Sequence, residues 1–285
     1  MDITISSQRI KEFADQIDLN QLRFHTWNTS QFIITKDLDI LAQYFFIGNA
    51  INFCFWCNRY DQRFKYKQFT GSAAMWAVMR DNPQYLDANY LESFTVEQEP
   101  YIMSMPMPYE RQMALREAGK VLNKLYGGKV ISLCIECEWD AITIIDKITL
   151  EFNMWSDECR SVRFDKRAKL FVAMLHGRLA QNSPITHINK LSCLADYQVP
   201  KVLEHFGILR YPSYIKEAIS RQFIFSSGSN EEFQIRFQTI GAMQQMCDYI
   251  NTKGNEICPL ELDYYVWNLS RSIEGPHHLT FTKAY

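Results

Sequence analysis

Apolar residues recur at intervals of three and four along much of this chain, and that period commits it to helices. In MPMPYERQMALREAGKVLNKLYGG, residues 105–128, prolines and Glu110 open the stretch and Gly127-Gly128 end it. Leu115, Ala118, Leu122 and Leu125 form its apolar stripe. Asp165 stands where it can cap a second helix, with Ala168, Phe171, Val172, Leu175 and Leu179 as the buried face and Asn182-Ser183-Pro184 as the stop. Phe233, Phe237, Ile240, Met243, Cys247 and Ile250 line a third helix, closed by Gly254. A fourth is expected over residues 260–271. The one clear β signal lies in residues 51–69, INFCFWCNRYDQRFKYKQF: an aromatic arm, a polar turn at 58–62, then alternating Phe64-Lys65-Tyr66-Lys67. The expected class is mainly α with a small β-hairpin. No repeat, low-complexity tract or long linker divides the chain, so one compact domain over residues 1–285 is expected, with no sub-domain boundary legible.

Charge narrows the function classes. Thirty basic against 32 acidic residues give a net charge of −2, without the basic footprint that displaces counterions from nucleic acid, so no stable nucleic-acid partner is expected. The opening MDITISSQRIKEFADQIDL has no basic region followed by an apolar one, and no apolar run approaches the roughly 20 residues that span a bilayer. The expectation is a cytoplasmic protein with no membrane partner.

A reducing compartment bears on the eight cysteines, two pairs of which are spaced C-x-x-C: Cys54 with Cys57, and Cys134 with Cys137. Four ligands must converge for structural zinc, and the gap between these pairs is far longer than in a zinc ribbon. On the expected strand, Cys54 and Cys57 point to opposite faces. Cys134 and Cys137 share an apolar helical face, where core packing explains them better than a metal or redox pair. No metal is expected.

The chain has no phosphate-binding glycine loop, no nucleophile elbow and no paired-histidine helix motif. Candidate chemistry therefore falls on polar residues in apolar surroundings. Asp196, in KLSCLADYQVPKVLEHFG, precedes a short helix begun near Pro200. It reads either as an ordinary cap or as a partly desolvated carboxylate poised beside a ligand. On a helix through LELDYYVWNLS, Asp263, Tyr264, Trp267 and Asn268 fall within an arc of about 140°. Such a face suits a planar heterocycle, and equally suits tyrosines packed on a core.

Seven sequence words, in order, are similar to those of the queuosine salvage family of queuosine 5′-phosphate N-glycosidases. They are NFCFW at 52–56, FTGSAAMWA at 69–77, the stretch at 105–128, DKRAKLFVA at 165–173, LADYQVPKVLEHFGIL at 194–209, QIR at 234–236 and LDYYVW at 262–267. The resemblance implies a helical fold related to helix-hairpin-helix DNA glycosylases. It also implies hydrolysis of the N-glycosidic bond of queuosine 5′-monophosphate, giving queuine and ribose 5-phosphate, with no cofactor. By motif match the catalytic aspartate falls on Asp196, in the ADY word. The base-binding pair falls on Asp263-Tyr264, and a pocket histidine on His25 in FHTWN. Leu194 stands where the resemblance implies a pocket Phe, and Asn268 where it implies a second Asp. Lys166 and Arg167, which open a helix, are the candidates for the 5′-phosphate. A non-catalytic 7-deazaguanine-binding protein and a DNA glycosylase on a related fold are the competing readings. The first draws on the departures at Leu194 and Asn268; the balanced charge counts against the second.

Overall fold

The computed structural model describes residues 2–285, and they are mainly helical with four two-stranded pairings. No helix among them is long and apolar enough to cross a membrane. Contacts concentrate in two compact units, each assembled from several stretches of chain. The first comprises Met1–His25, Cys159–Lys166 and Asn189–Phe281; the second comprises Thr26–Glu158, Arg167–Ile188 and Thr282–Tyr285.

In the first unit the helices Ser7–Ala14, Gln198–His205, Asn230–Asn251 and Pro259–Leu269 pack round Ile10, Phe13, Val202, Leu203, Met243, Leu262 and Val266. Their starts are specified locally. Ser6 accepts the N–H of Arg9, Ser229 that of Glu232, and Glu261 reaches back to the N–H of Cys258. Two short pairings close the unit: Thr4–Ile5 antiparallel to Leu209–Arg210, and Ile224–Phe225 parallel to Leu279–Thr280.

The helix Asn230–Asn251 corrects the sequence reading. Phe237 is 46% exposed, and the buried face runs instead through Glu232, Ile235, Arg236 and Thr239 before rejoining the expected stripe at Met243, Cys247 and Ile250. Burial of the polar residues is possible because each is satisfied. Arg236 Nε donates to the Ala195 carbonyl at 3.0 Å, its guanidinium lies 4.0 Å from the Phe164 ring centre, and Glu232 faces it at 3.7 Å. Phe233 and Phe237 stack on each other instead, with ring centres 5.5 Å apart.

The second unit contains the helices Leu38–Ala50, Ser72–Asp81, Pro108–Tyr126, Val130–Glu136 and Ala141–Glu151, together with Lys166–Leu179 from Arg167 onward. Pro108–Tyr126 stops at Gly127, whose φ of +60° is the left-handed conformation expected of that residue. Its stripe holds at Leu115, Ala118 and Leu122, while Leu125 is exposed and Tyr126 takes the last buried position. The helix Ala88–Glu92 packs against it at Gly119, where any Cβ would meet the Glu92 amide at 2.4 Å. Arg111, fully buried, donates to the carbonyls of Ile51, Phe53 and Cys54 and so holds that irregular segment in place.

The expected hairpin is shorter and displaced. Trp56 pairs with Arg63 through an isolated bridge, and the regular strands are Lys65–Tyr66 and Phe69–Thr70. Cys54, at φ +43°, breaks the arm that was expected to be extended. Cys54 is buried and Cys57 exposed. Burial raises the Cys54 and Cys137 thiols to about 11 and that of Cys134 to about 12, so all three stay protonated at neutral pH.

Candidate active site

The segment Leu194-Ala195-Asp196-Tyr197 leads into the helix Gln198–His205, and Asp196 uses Oδ1 as that helix's cap. It accepts the N–H of Gln198 at 2.7 Å and of Val199 at 3.2 Å. The same carboxylate is buried. Burial raises its pKa; the charge of Lys166, the two amides and the Trp267 indole N–H oppose the rise. The capping and the ligand-facing readings of Asp196 are therefore compatible in one geometry.

A second buried carboxylate comes from the helix Pro259–Leu269. Asp263 Oδ2 accepts the backbone N–H of Leu194 at 2.8 Å. Burial and then the charge of Asp196 push its pKa well above the usual carboxylate range, against the pull of the Leu194 amide and Lys166. Lys166, itself buried, is thus the cation whose field reaches both acids.

Flat rings adjoin the carboxylates. His25 lies over Tyr264 with ring centres 4.0 Å apart and planes 12° from parallel. Trp267, one turn from Asp263, is within 17° of the Tyr264 plane at 6.2 Å. Leu194 is buried; Asn268 is half-buried and turned about 140° round the helix from Asp263. The structure thus brings Asp196, Asp263, Tyr264, His25, Leu194 and Lys166 into the first unit.

Arg167 belongs to the second unit and is differently engaged. It donates to the Ala50 carbonyl at 2.6 Å and to that of Met154, with its guanidinium 5.3 Å from the Phe53 ring and 5.2 Å from Trp155. Its charge serves to order backbone carbonyls there.

Three contributors escaped the sequence reading. Arg236 holds the Ala195 carbonyl, next to Asp196; the QIR word contained it without indicating a task. Trp267 lay on the arc of the last helix but was assigned no role. His277, buried, stacks on Tyr197 with ring centres 4.1 Å apart. Its Nδ1 lies 2.7 Å from the His278 carbonyl, which only accepts, so that nitrogen carries the proton. No periodic signal marks Pro276-His277-His278. Among the described residues, no three His, Cys, Asp or Glu side chains gather as a metal site would require.

Buried carboxylates beside parallel aromatic rings equip a protein to hold a flat, hydrogen-bonding heterocycle. A mainly helical chain with that equipment defines the class. This chain belongs to the queuosine salvage protein family, whose model matches residues 32–285. Its relatives include the queuosine 5′-phosphate N-glycosylase/hydrolase of Sphaerobacter thermophilus, 26% identical over 99% of this chain and 93% of its own. The protein of that name from Dictyostelium discoideum is 29% identical, over 87% of this chain and 79% of its own. That from Nematostella vectensis is 23% identical, over 100% and 94%.

Proposed function

We propose that this protein hydrolyses the N-glycosidic bond of queuosine 5′-monophosphate, releasing queuine and ribose 5-phosphate, so that queuine returns to tRNA modification. The observation that carries the reading is Asp196. It is a buried carboxylate, aimed by two backbone amides, in a chain that matches its family over nearly its whole length. Breaking the ribosyl C–N bond builds positive charge on the sugar's anomeric carbon and ring oxygen. A fixed carboxylate in a dry pocket stabilises that charge or attacks the carbon. Water supplies hydroxide to the carbon, and the departing base nitrogen takes the proton. A 7-deazapurine lacks the ring nitrogen that other purines can protonate, so stabilisation of the sugar cation carries more of the barrier.

In this reading Asp263, when ionised, accepts the amino and ring N–H edge of the guanine-like base, and the stacked pair of His25 and Tyr264 offers it an outer ring face. Lys166 is the candidate for the 5′-phosphate, because Arg167 is committed to carbonyls. The chain acts as one queuosine-salvage-type domain, related in architecture to helix-hairpin-helix DNA glycosylases, in the cytoplasm. It needs no cofactor and no stable nucleic-acid partner.

The test is incubation with queuosine 5′-monophosphate, a preQ1-type nucleotide and guanosine 5′-monophosphate, with detection of released base. Release from the first, and its fall by about 10²–10³ in Asp196→Asn, is expected. Binding without release would make this a 7-deazaguanine-binding protein. Near-normal turnover by Asp196→Asn would move catalysis elsewhere.

A further inference from the structure

The turn that carries Asp196 is bonded mostly to itself. The Asp196 N–H donates to the Leu194 carbonyl at 2.8 Å, the contact of a γ-turn, and Oδ1 caps the helix that follows. Both contacts are local, so neither locates the turn within its unit. Two helices do. Asp263, on Pro259–Leu269, accepts the Leu194 N–H, and Arg236, on Asn230–Asn251, donates through Nε to the Ala195 carbonyl at 3.0 Å. That carbonyl and the Asp196 N–H share one planar peptide unit. Fixing its oxygen therefore orients the plane that ends at the Asp196 Cα.

The donor is itself held. Its guanidinium lies 4.0 Å from the ring centre of Phe164, and Glu232 faces it at 3.7 Å. All three side chains are buried. A buried arginine–glutamate pair adds little stability over apolar residues of similar volume, so the fold alone does not call for one here. What an apolar side chain cannot supply is a directional donor. The Nε–H, fixed in the guanidinium plane, aims at one acceptor.

We propose that Arg236 is a positioning residue for Asp196: its Nε–H holds the Ala195 carbonyl and so sets where the Asp196 carboxylate meets the sugar carbon. The proposal rests on the proposed hydrolysis. Arg236 touches no reacting atom in it and acts through the backbone.

Arg236→Lys keeps a cation opposite Glu232 but carries a methylene where arginine carries Nε, so the carbonyl loses its aimed donor. Arg236→Met combined with Glu232→Gln removes both charges at once and leaves neither unpaired. In either variant, with queuosine 5′-monophosphate, kcat is expected to fall about tenfold or more while KM stays within about twofold. A second readout does not depend on turnover. The Gln198 and Val199 amides, which bond Asp196 Oδ1, should exchange hydrogen about tenfold faster, while amides of residues 243–250 keep their rates. Unchanged kcat in Arg236→Lys, or a loss of kcat without faster exchange at those two amides, would overturn the proposal. So would exchange that quickens equally at residues 243–250, since Arg236 would then only stabilise the unit. If the unsubstituted protein releases no base, the proposed hydrolysis fails, while the exchange rates still decide whether Arg236 holds the turn.

Discussion

Asp263 accepts the backbone N–H of Leu194 at 2.8 Å, so the carboxylate proposed to read the base also anchors the segment that carries Asp196. In the proposed hydrolysis, that one bond would couple recognition of the base to the geometry of the reacting group. It also brings two buried acids near Lys166; burial first, and then the charge of Asp196, holds the Asp263 pKa high.

Asp263→Asn should stabilise the fold. Asn keeps an acceptor for the Leu194 amide and removes a buried charge beside Asp196. Because burial raises the folded-state pKa of Asp263, the native form holds its proton over a pH range in which the unfolded chain has lost it. The unsubstituted protein therefore loses stability as pH rises from the ordinary Asp value, about 3.9, to the raised one, and the loss then levels off. At pH 7 the variant is expected to gain roughly 1–3 kcal/mol, at about 2–4 °C in Tm per kcal/mol, with the gap shrinking on acidification. Thermal melts of both proteins across the acid to neutral range check this. A variant that melts lower at pH 7 would mean that Lys166 and the Leu194 amide fully compensate the charge.

Binding of queuine should release a proton. A base edge made of N–H donors requires ionised Asp263, whose pKa in the free protein is raised by burial and by Asp196. Affinity is then expected to rise with pH up to that pKa, by up to about tenfold per pH unit, and flatten above it. Calorimetry in buffers of different ionisation heat reads the proton directly. Identical heats in all buffers at a pH on the rising limb would remove Asp263 from this role.

Asn268→Asp should tighten binding of cationic ligands. The cyclopentenediol of queuine hangs from a secondary amine that is cationic at neutral pH. In the proposed placement Asn268 faces that amine with a carbonyl oxygen without charge, and a charge-assisted bond exceeds a neutral one by roughly 1 kcal/mol. Queuine affinity is expected to improve about fivefold, and the gain should shrink as salt rises. Unchanged or weaker affinity would place Asn268 away from the amine.

Gly119→Ala should destabilise the fold without touching the candidate site. The added Cβ would lie 2.4 Å from the Glu92 amide nitrogen and 2.6 Å from the Ala88 carbonyl oxygen, and backbone cannot give way as a side-chain tip can. A loss of about 1–3 kcal/mol by denaturant unfolding is expected. A neutral result would show that Ala88–Glu92 shifts freely on its neighbour.

The sequence alone determined whatever is written within a turn or two of chain. Helix existence, the Gly127 stop, and the shared arc of Asp263, Tyr264 and Trp267 follow from period and terminators. So does the possibility that Asp196 caps a helix, since its partners Gln198 and Val199 are two and three residues away.

Tertiary structure alone decided which surfaces and charges are buried. Apolar spacing misplaced the first half of the helix Asn230–Asn251, because Arg236 is buried by virtue of an aromatic ring and a carbonyl supplied from distant segments. The bond between Asp263 and Leu194 spans 69 residues, and the stack of His25 on Tyr264 nearly the whole chain. Adjacent Lys166 and Arg167 look alike in sequence. One lends its field to two aspartates while the other ties down backbone carbonyls. The reason is physical: local pattern fixes the direction of a side chain on its own helix, while the group it meets is set by closure of the chain around a core, where a buried charge persists only if distant partners satisfy it.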